Sequence, residues 1–197
     1  MGEHAQHDPD QEPAGNYVEA VRRGVPFRDA AGTVQYPTMR SRPHPHFGLD
    51  PFHRYLLLSS LIVAVAYTAW ILTRIPSLPD QMPMHFAGDG SVNRFGSPVE
   101  MVIPASILLA TIIGCAVLVR YPRIYNYGVK KVTAENIQDH YRNGRQMMVW
   151  MVFGLATIQV ITLGAVAGDW PISPAIWGGL ALVLGSTAFF IARMVKL

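Results

Sequence analysis

From residue 55 onward, apolar residues arrive in four long runs, unlike the 3.6-residue or 2-residue spacing of elements with one wet face. The runs cover about Tyr55–Thr73, Met101–Val119, Met147–Ala167 and Ile172–Ala192. At 1.5 Å per residue, each reaches roughly 28 Å or more, enough to cross the hydrocarbon core of a bilayer. A segment in lipid must satisfy its own backbone N–H and C=O groups, so the runs predict four transmembrane α-helices. The link Gly168-Asp169-Trp170-Pro171 is so short that the last two helices are expected to form an antiparallel hairpin. The predicted fold class is therefore all-α: a polytopic membrane protein whose four-transmembrane-helix bundle occupies residues 54–197.

Residues 1–53 have a different composition. Pro, His, Gly, Asp and Arg recur, as in Arg40-Ser41-Arg42-Pro43 and His44-Pro45-His46, with few large apolar groups between them. Such a segment buries too little to offset its ordering entropy and is expected to be a disordered polar tail, with a short helical turn around Tyr17–Arg23. Nothing in it resembles a removable signal peptide, so the first span is expected to act as its own insertion signal.

Composition supports the membrane class, with half of the 197 residues hydrophobic and 15% charged. The net charge of +3 comes mainly from basic residues beside the apolar runs. That placement sets orientation and gives no continuous patch for nucleic acid. The second inter-span loop holds Arg120, Arg123, Lys130, Lys131, Arg142 and Arg145, the first only Arg74 and Arg94, and the third none. Arg54 precedes span 1, and Arg193 and Lys196 end the chain. Cytoplasmic segments retain Lys and Arg, so both termini are predicted to be cytoplasmic in a multi-pass protein of the plasma membrane. Tyr55, Trp70, Trp150, Trp170 and Trp177 lie near span ends, where amphipathic rings anchor at headgroup level. Cys115, the only cysteine, falls inside a span, which excludes an intrachain disulfide and a cysteine metal site.

Helices in lipid associate through small residues that let backbones approach. Ala110 with Gly114, Gly164 with Gly168, and Ala181 with Gly185 have that spacing, either for packing within the bundle, the favoured reading, or for a homodimer face. Pro104 is read as a helix-start residue, with a mild kink as the alternative. No Asp, Glu, Lys, Arg or His occupies the middle of a span, which argues against an ion-coupled transporter. Thr157, Gln159 and Thr162 on span 3 are expected to hydrogen-bond neighbouring helices, Gln159 alternatively a ligand.

The most distinctive stretch is the first inter-span loop, predicted to lie outside the cell. Prolines at 76, 79, 83 and 98 restrict it, Gly88 and Gly90 permit a tight turn, and Met84-His85-Phe86 has room for a short extended segment. Candidate binding residues are Pro83, His85, Phe86, Asp89 and Phe95. His85 is the only outer histidine and is read first as structural, then as a recognition residue, then as a metal or general-base group with Asp80, Asp89 and Glu100. No metal site, cofactor or catalytic motif is assigned, and no enzyme is expected. In the cytoplasmic loop, Arg123, Tyr125, Asn126, Lys130 and Lys131 are candidates for lipid or partner contact, and Thr133 is expected to cap an interfacial helix from Ala134 through Tyr141.

Leu78-Pro79, Met82-Pro83-Met84-His85-Phe86, Gly88 to Gly90 and Asn93-Arg94-Phe95-Gly96-Ser97 succeed one another in this loop. This order resembles the DUF1648 family, over about residues 55–120, and Pro122 to Tyr127 with Val132 to Asn136 resemble the stretch after the second span in that family. Phe95, Pro98 and Asn93 stand where that family often has Trp, Lys and Asp. The resemblance to its SdpI-like relatives implies immunity to a secreted toxin or signalling. The leading expectation is a non-enzymatic membrane protein recognising a peptide, toxin or envelope partner through its outer loop. The alternative is a structural or accessory subunit of a larger membrane complex.

Overall fold

The computed structural model describes residues 12–128, 131–168 and 172–197. In chain order its elements are α1 (Tyr17–Arg23), β1 (Phe27–Arg28), β2 (Val34–Gln35), α2 (Pro51–Arg74), β3 (Met82–Phe86), β4 (Val92–Gly96), α3 (Val102–Leu118), α4 (Ile137–Gly168) and α5 (Ile172–Lys196). Four of these helices are long and apolar enough to cross a membrane, so the chain is a multi-pass membrane protein in contact with lipid.

Two compact units partition the chain. The larger comprises Asp50–Val119 and Met147–Ala188 and holds the spans. The Asp50 side chain accepts from the His53 N–H at 3.1 Å and Pro51 occupies the first turn, which fixes where α2 begins. A 3₁₀ turn over Pro98–Met101 leads into α3, and Pro104 is the third residue of that helix, in keeping with a start residue. Half of the apolar window of α4 is buried, against 22%, 17% and 11% for the other three spans, so α4 is the central helix. Ala64, Ile112, Val152 and Ala156 form one layer of this core, and Ile71, Met101, Ala105, Leu163 and Val166 another. Hydroxyls on the spans return to their own helices, Ser60 to the Leu56 carbonyl at 2.6 Å and Thr157 to Phe153 at 2.9 Å.

Close helix approach occurs at two glycines outside the predicted small-residue pairs, while two of those three pairs face away from the bundle. A methyl group added at Gly154 would meet Val183 Cγ2 at 2.5 Å, and one at Gly179 would meet Ile158 at 2.8 Å. Ala110, Gly114, Ala181 and Gly185 are all exposed, with nothing within 4 Å of the Cβ position of either glycine. Bundle packing through those two pairs is therefore corrected: their faces point away from the core.

The smaller unit joins residues up to Leu49 with Arg120–Gln146 and Phe189–Leu197. The helical turn predicted at Tyr17–Arg23 is α1, capped by Asn16 and ended by Gly24 at φ +70°. Disorder through residue 53, however, does not describe residues 12–49. Strands β1 and β2 pair antiparallel, the Tyr36 N–H donates to the Val132 carbonyl at 2.8 Å, and Ala134 N–H to Val34 at 2.9 Å. Tyr36, Tyr127, Val132, Ile137 and Tyr141 form a shared core. The segment is ordered because polar side chains bind distant backbone: Arg42 donates to the carbonyls of Arg123 and Tyr125, and Arg145 to that of Phe47. Thr133 likewise does not start a separate interfacial helix. It opens a turn, its N–H bonded to Asn136 at 2.9 Å, and α4 begins at Ile137 and continues without a break into span 3.

Candidate functional site

The α2–α3 loop folds as a β-hairpin. Ala87 N–H donates to the Ser91 carbonyl at 2.8 Å and Gly90 N–H to Ala87 at 2.9 Å. Gly90 sits at φ +88°, where a side chain is strained. Asp89 locks the tip by accepting from the Ser91 N–H at 2.9 Å and hydroxyl at 2.7 Å. These bonds favour the carboxylate and hold Asp89 below its ordinary pKa.

The strands pair Met82 with Gly96, Pro83 with Phe95, His85 with Arg94 and Phe86 with Val92, with register irregularities between the last three pairs. Strand β3 faces the bundle: Met82 is buried, and Met84 and Phe86 pack on the layer of Ile71, Met101 and Leu163. Strand β4 is exposed up to Gly96, with Phe95 at 58%. At its end Ser97 and Glu100 form a reciprocal capping box, and Arg94 pairs with Glu100 at 2.8 Å.

Of the predicted binding residues, the hairpin brings Pro83, His85 and Phe95 together and assigns the other two elsewhere. Phe86 is a packing residue, and Asp89 serves the turn. His85 is exposed, and its Nδ1 lies 2.5 Å from the Asn93 side-chain oxygen, so its structural bond goes to a side chain across the hairpin and not to loop backbone. Among the described residues, no group of three or more His, Cys, Asp or Glu is gathered where a metal could bind.

Residues not expected to act together enclose a cavity of about 390 Å³ between the hairpin, α3 and α4. Arg94 and Glu100 lie at one end, Met101, Ala105 and Leu163 line it, and Gln159 and Thr162 add polar groups. Gln159 is 1% exposed and donates through Nε2 to the Thr68 hydroxyl on α2. The Thr68 proton is committed to the Ala64 carbonyl at 2.7 Å, so Gln159 must present N–H to it. The amide orientation is thereby set, and the buried Oε1 is left without a hydrogen-bond partner. Gln159 stood out in the sequence as a polar residue within a span, but nothing there pointed to the cavity.

The predicted cytoplasmic contacts lie in the smaller unit and are largely engaged within it. Arg123 donates to His44 Nε2 at 2.9 Å, the Tyr125 carbonyl accepts from Arg42, and Asn126 closes a turn onto the Gly128 N–H. Lys131 is exposed, and Lys130 lies outside the described residues, as does Trp170 with the Asp169-Trp170-Pro171 link. Burial pushes the Tyr127 phenol far up and pulls the Arg42 guanidinium below its ordinary value.

Comparison with curated proteins and with solved structures returned no match to this chain. Residues 61–109 match the family model described as Domain of unknown function (DUF1648), so the chain carries a DUF1648 domain running from α2 through the hairpin into α3.

Proposed function

We propose that this is a non-enzymatic protein of the plasma membrane with both termini cytoplasmic, whose external hairpin recognises an extended peptide segment of a secreted toxin or envelope partner. The basic residues of the second inter-span loop and the two chain ends support that orientation. The observation that carries recognition is the asymmetry of the hairpin: β3 packs on the bundle, while β4 is exposed and, among the described residues, pairs only with β3. An unpaired strand edge is a template for an added strand, and His85, Arg94 and Phe95 flank it with groups that select side chains. Immunity or signalling of the SdpI-like kind is the extended form of this reading. In a deletion strain, His85→Ala/Phe95→Ala made at wild-type protein level should fail to restore the response to exported toxin or envelope stress. Full restoration by that double variant overturns the reading.

The second reading, an accessory subunit or homodimer, draws on the exposed Ala110–Gly114 and Ala181–Gly185 faces. Purification in mild detergent as one monodisperse chain with no companion would count against it.

A further inference from the structure

We propose that the cavity between the N-terminal segment and the loop after α3 binds a phosphate ester, held by its phosphoryl group. The site lies wholly within the smaller unit, uses no residue of the hairpin and does not depend on peptide recognition there. Its volume of about 310 Å³ is at the small end of ligand pockets, and Tyr36, Arg42, Asn126 and Lys131 line it.

Arg42 supplies the reason for an anion. It is 9% exposed, and no ion pair among the described residues includes it. Two carbonyls and the Tyr127 ring offer only partial charges, so a buried guanidinium stands without a counter-ion, at a cost in free energy that an anion would offset. Nη1 is committed to those carbonyls and Nε is sealed from solvent, whereas Nη2 is neither hydrogen-bonded among the described residues nor sealed. Further donors share the cavity wall. Asn126 turns Oδ1 onto the Gly128 N–H at 2.9 Å, which leaves its NH₂ group to donate, and Lys131 is an exposed cation. Asp29, which feels the Lys131 charge, already accepts from Ala31, Thr33 and Gln35 and does not line the cavity.

The arrangement of donors favours a phosphoryl group over a carboxylate. A carboxylate pairs best with two parallel N–H groups of one guanidinium, and with Nη1 committed and Nε sealed that fork is not offered. Single donors from separate stretches of chain suit a tetrahedral anion, whose oxygens diverge. Tyr36, Pro37 and Tyr127 add apolar wall that a bare phosphate would leave uncovered, so the ligand carries an organic group. A lipid headgroup and a soluble ester present this same chemistry.

The test uses the full chain in dodecyl maltoside, titrated with glycerol phosphate, dioctanoyl phosphatidic acid or dioctanoylglycerol, which lacks the phosphate, and read by native mass spectrometry. One saturable equivalent of a phosphate compound is expected, and none of dioctanoylglycerol. Glycerol phosphate that binds and displaces phosphatidic acid identifies a soluble ester, whereas binding of phosphatidic acid alone identifies a lipid headgroup. Lys131→Gln should weaken binding about fivefold, the loss of one exposed charge pair. Asn126→Asp keeps the acceptor for Gly128 but sets a carboxylate against the phosphate, and should weaken binding more than tenfold. Both variants leave Arg42 and its fold contacts in place. Arg22→Gln, which removes an exposed cation away from the cavity, should change nothing. Absence of saturable binding by both phosphate compounds overturns the proposal, as do equal binding of dioctanoylglycerol and unchanged binding in Asn126→Asp. So does a loss in Arg22→Gln equal to that in Lys131→Gln, which would mark non-specific attraction.

Discussion

Arg42 places its guanidinium 5.2 Å from the ring centre of Tyr127 while Nη1 donates to the carbonyls of Arg123 and Tyr125, each at 2.7 Å. One side chain from the N-terminal segment thereby satisfies two backbone acceptors more than 80 positions along the chain. Arg42→Met keeps the aliphatic stem and removes both bonds. Charge-assisted bonds are worth about 1.5–3 kcal/mol each, so the variant should lose at least ~2 kcal/mol of local stability. Limited proteolysis should then cut within residues 24–49 while leaving the spans intact. Unchanged protection would mean that other contacts order the segment.

The Gln159–Thr68 pair gives a double-mutant prediction. Thr68→Val removes the acceptor and leaves the amide buried with neither group paired, at a cost of about 1 kcal/mol. Thr68→Val/Gln159→Leu removes the polar groups together and should recover most of that loss. Unfolding in mixed micelles measures both, and a double variant worse than the single one would contradict the assignment of the bond.

Glycines on the spans should respond according to what faces them. Gly154→Leu must displace Val183 and is expected to cost about 1–3 kcal/mol of bundle stability. Gly114→Ala points into open space, and the better helix former should be neutral or stabilising by up to ~1 kcal/mol. Thermal unfolding of the two variants side by side distinguishes the packed face from the uncovered one.

Hairpin order should depend on pH through Asp89. Its folded pKa lies below the ordinary carboxylate value, so its contribution is full above the unfolded pKa, near pH 4, and is lost as pH falls through the folded value. Deuterium uptake over residues 86–96, corrected for intrinsic exchange, should rise in acid for the wild type. Asp89→Asn keeps an acceptor that does not titrate and should flatten the profile.

The four spans were legible because a bilayer demands about twenty apolar residues in sequence, a local property that α2 to α5 carry openly. The helical turn at Tyr17–Arg23 was legible for a similar reason, since what holds it, the cap by Asn16 and the stop at Gly24, lies within a few residues of the turn itself. The order of residues 24–49 was not. It rests on Arg42, Tyr141 bonded to the Pro43 carbonyl, and Gln138 bonded to the His44 carbonyl, and a composition count sees such residues only as polar. At the hairpin, the turn residues announced the bend, while the strand register that separates exposed His85 from packed Phe86 depended on pairing with Arg94 and Val92. Gln159 could be noticed as unusual within a span, but its partner on α2 lies 91 positions away. The unbroken path of α4 was hidden by its charged first turns, which looked like a separate surface element.

Pro83 leaves β3 one N–H short, while every residue of β4 retains its own. Two copies meeting edge to edge through β4 would then show only their proline-bearing flanks outward. A further chain would then meet an edge short of one ladder bond, which disfavours growth beyond a pair.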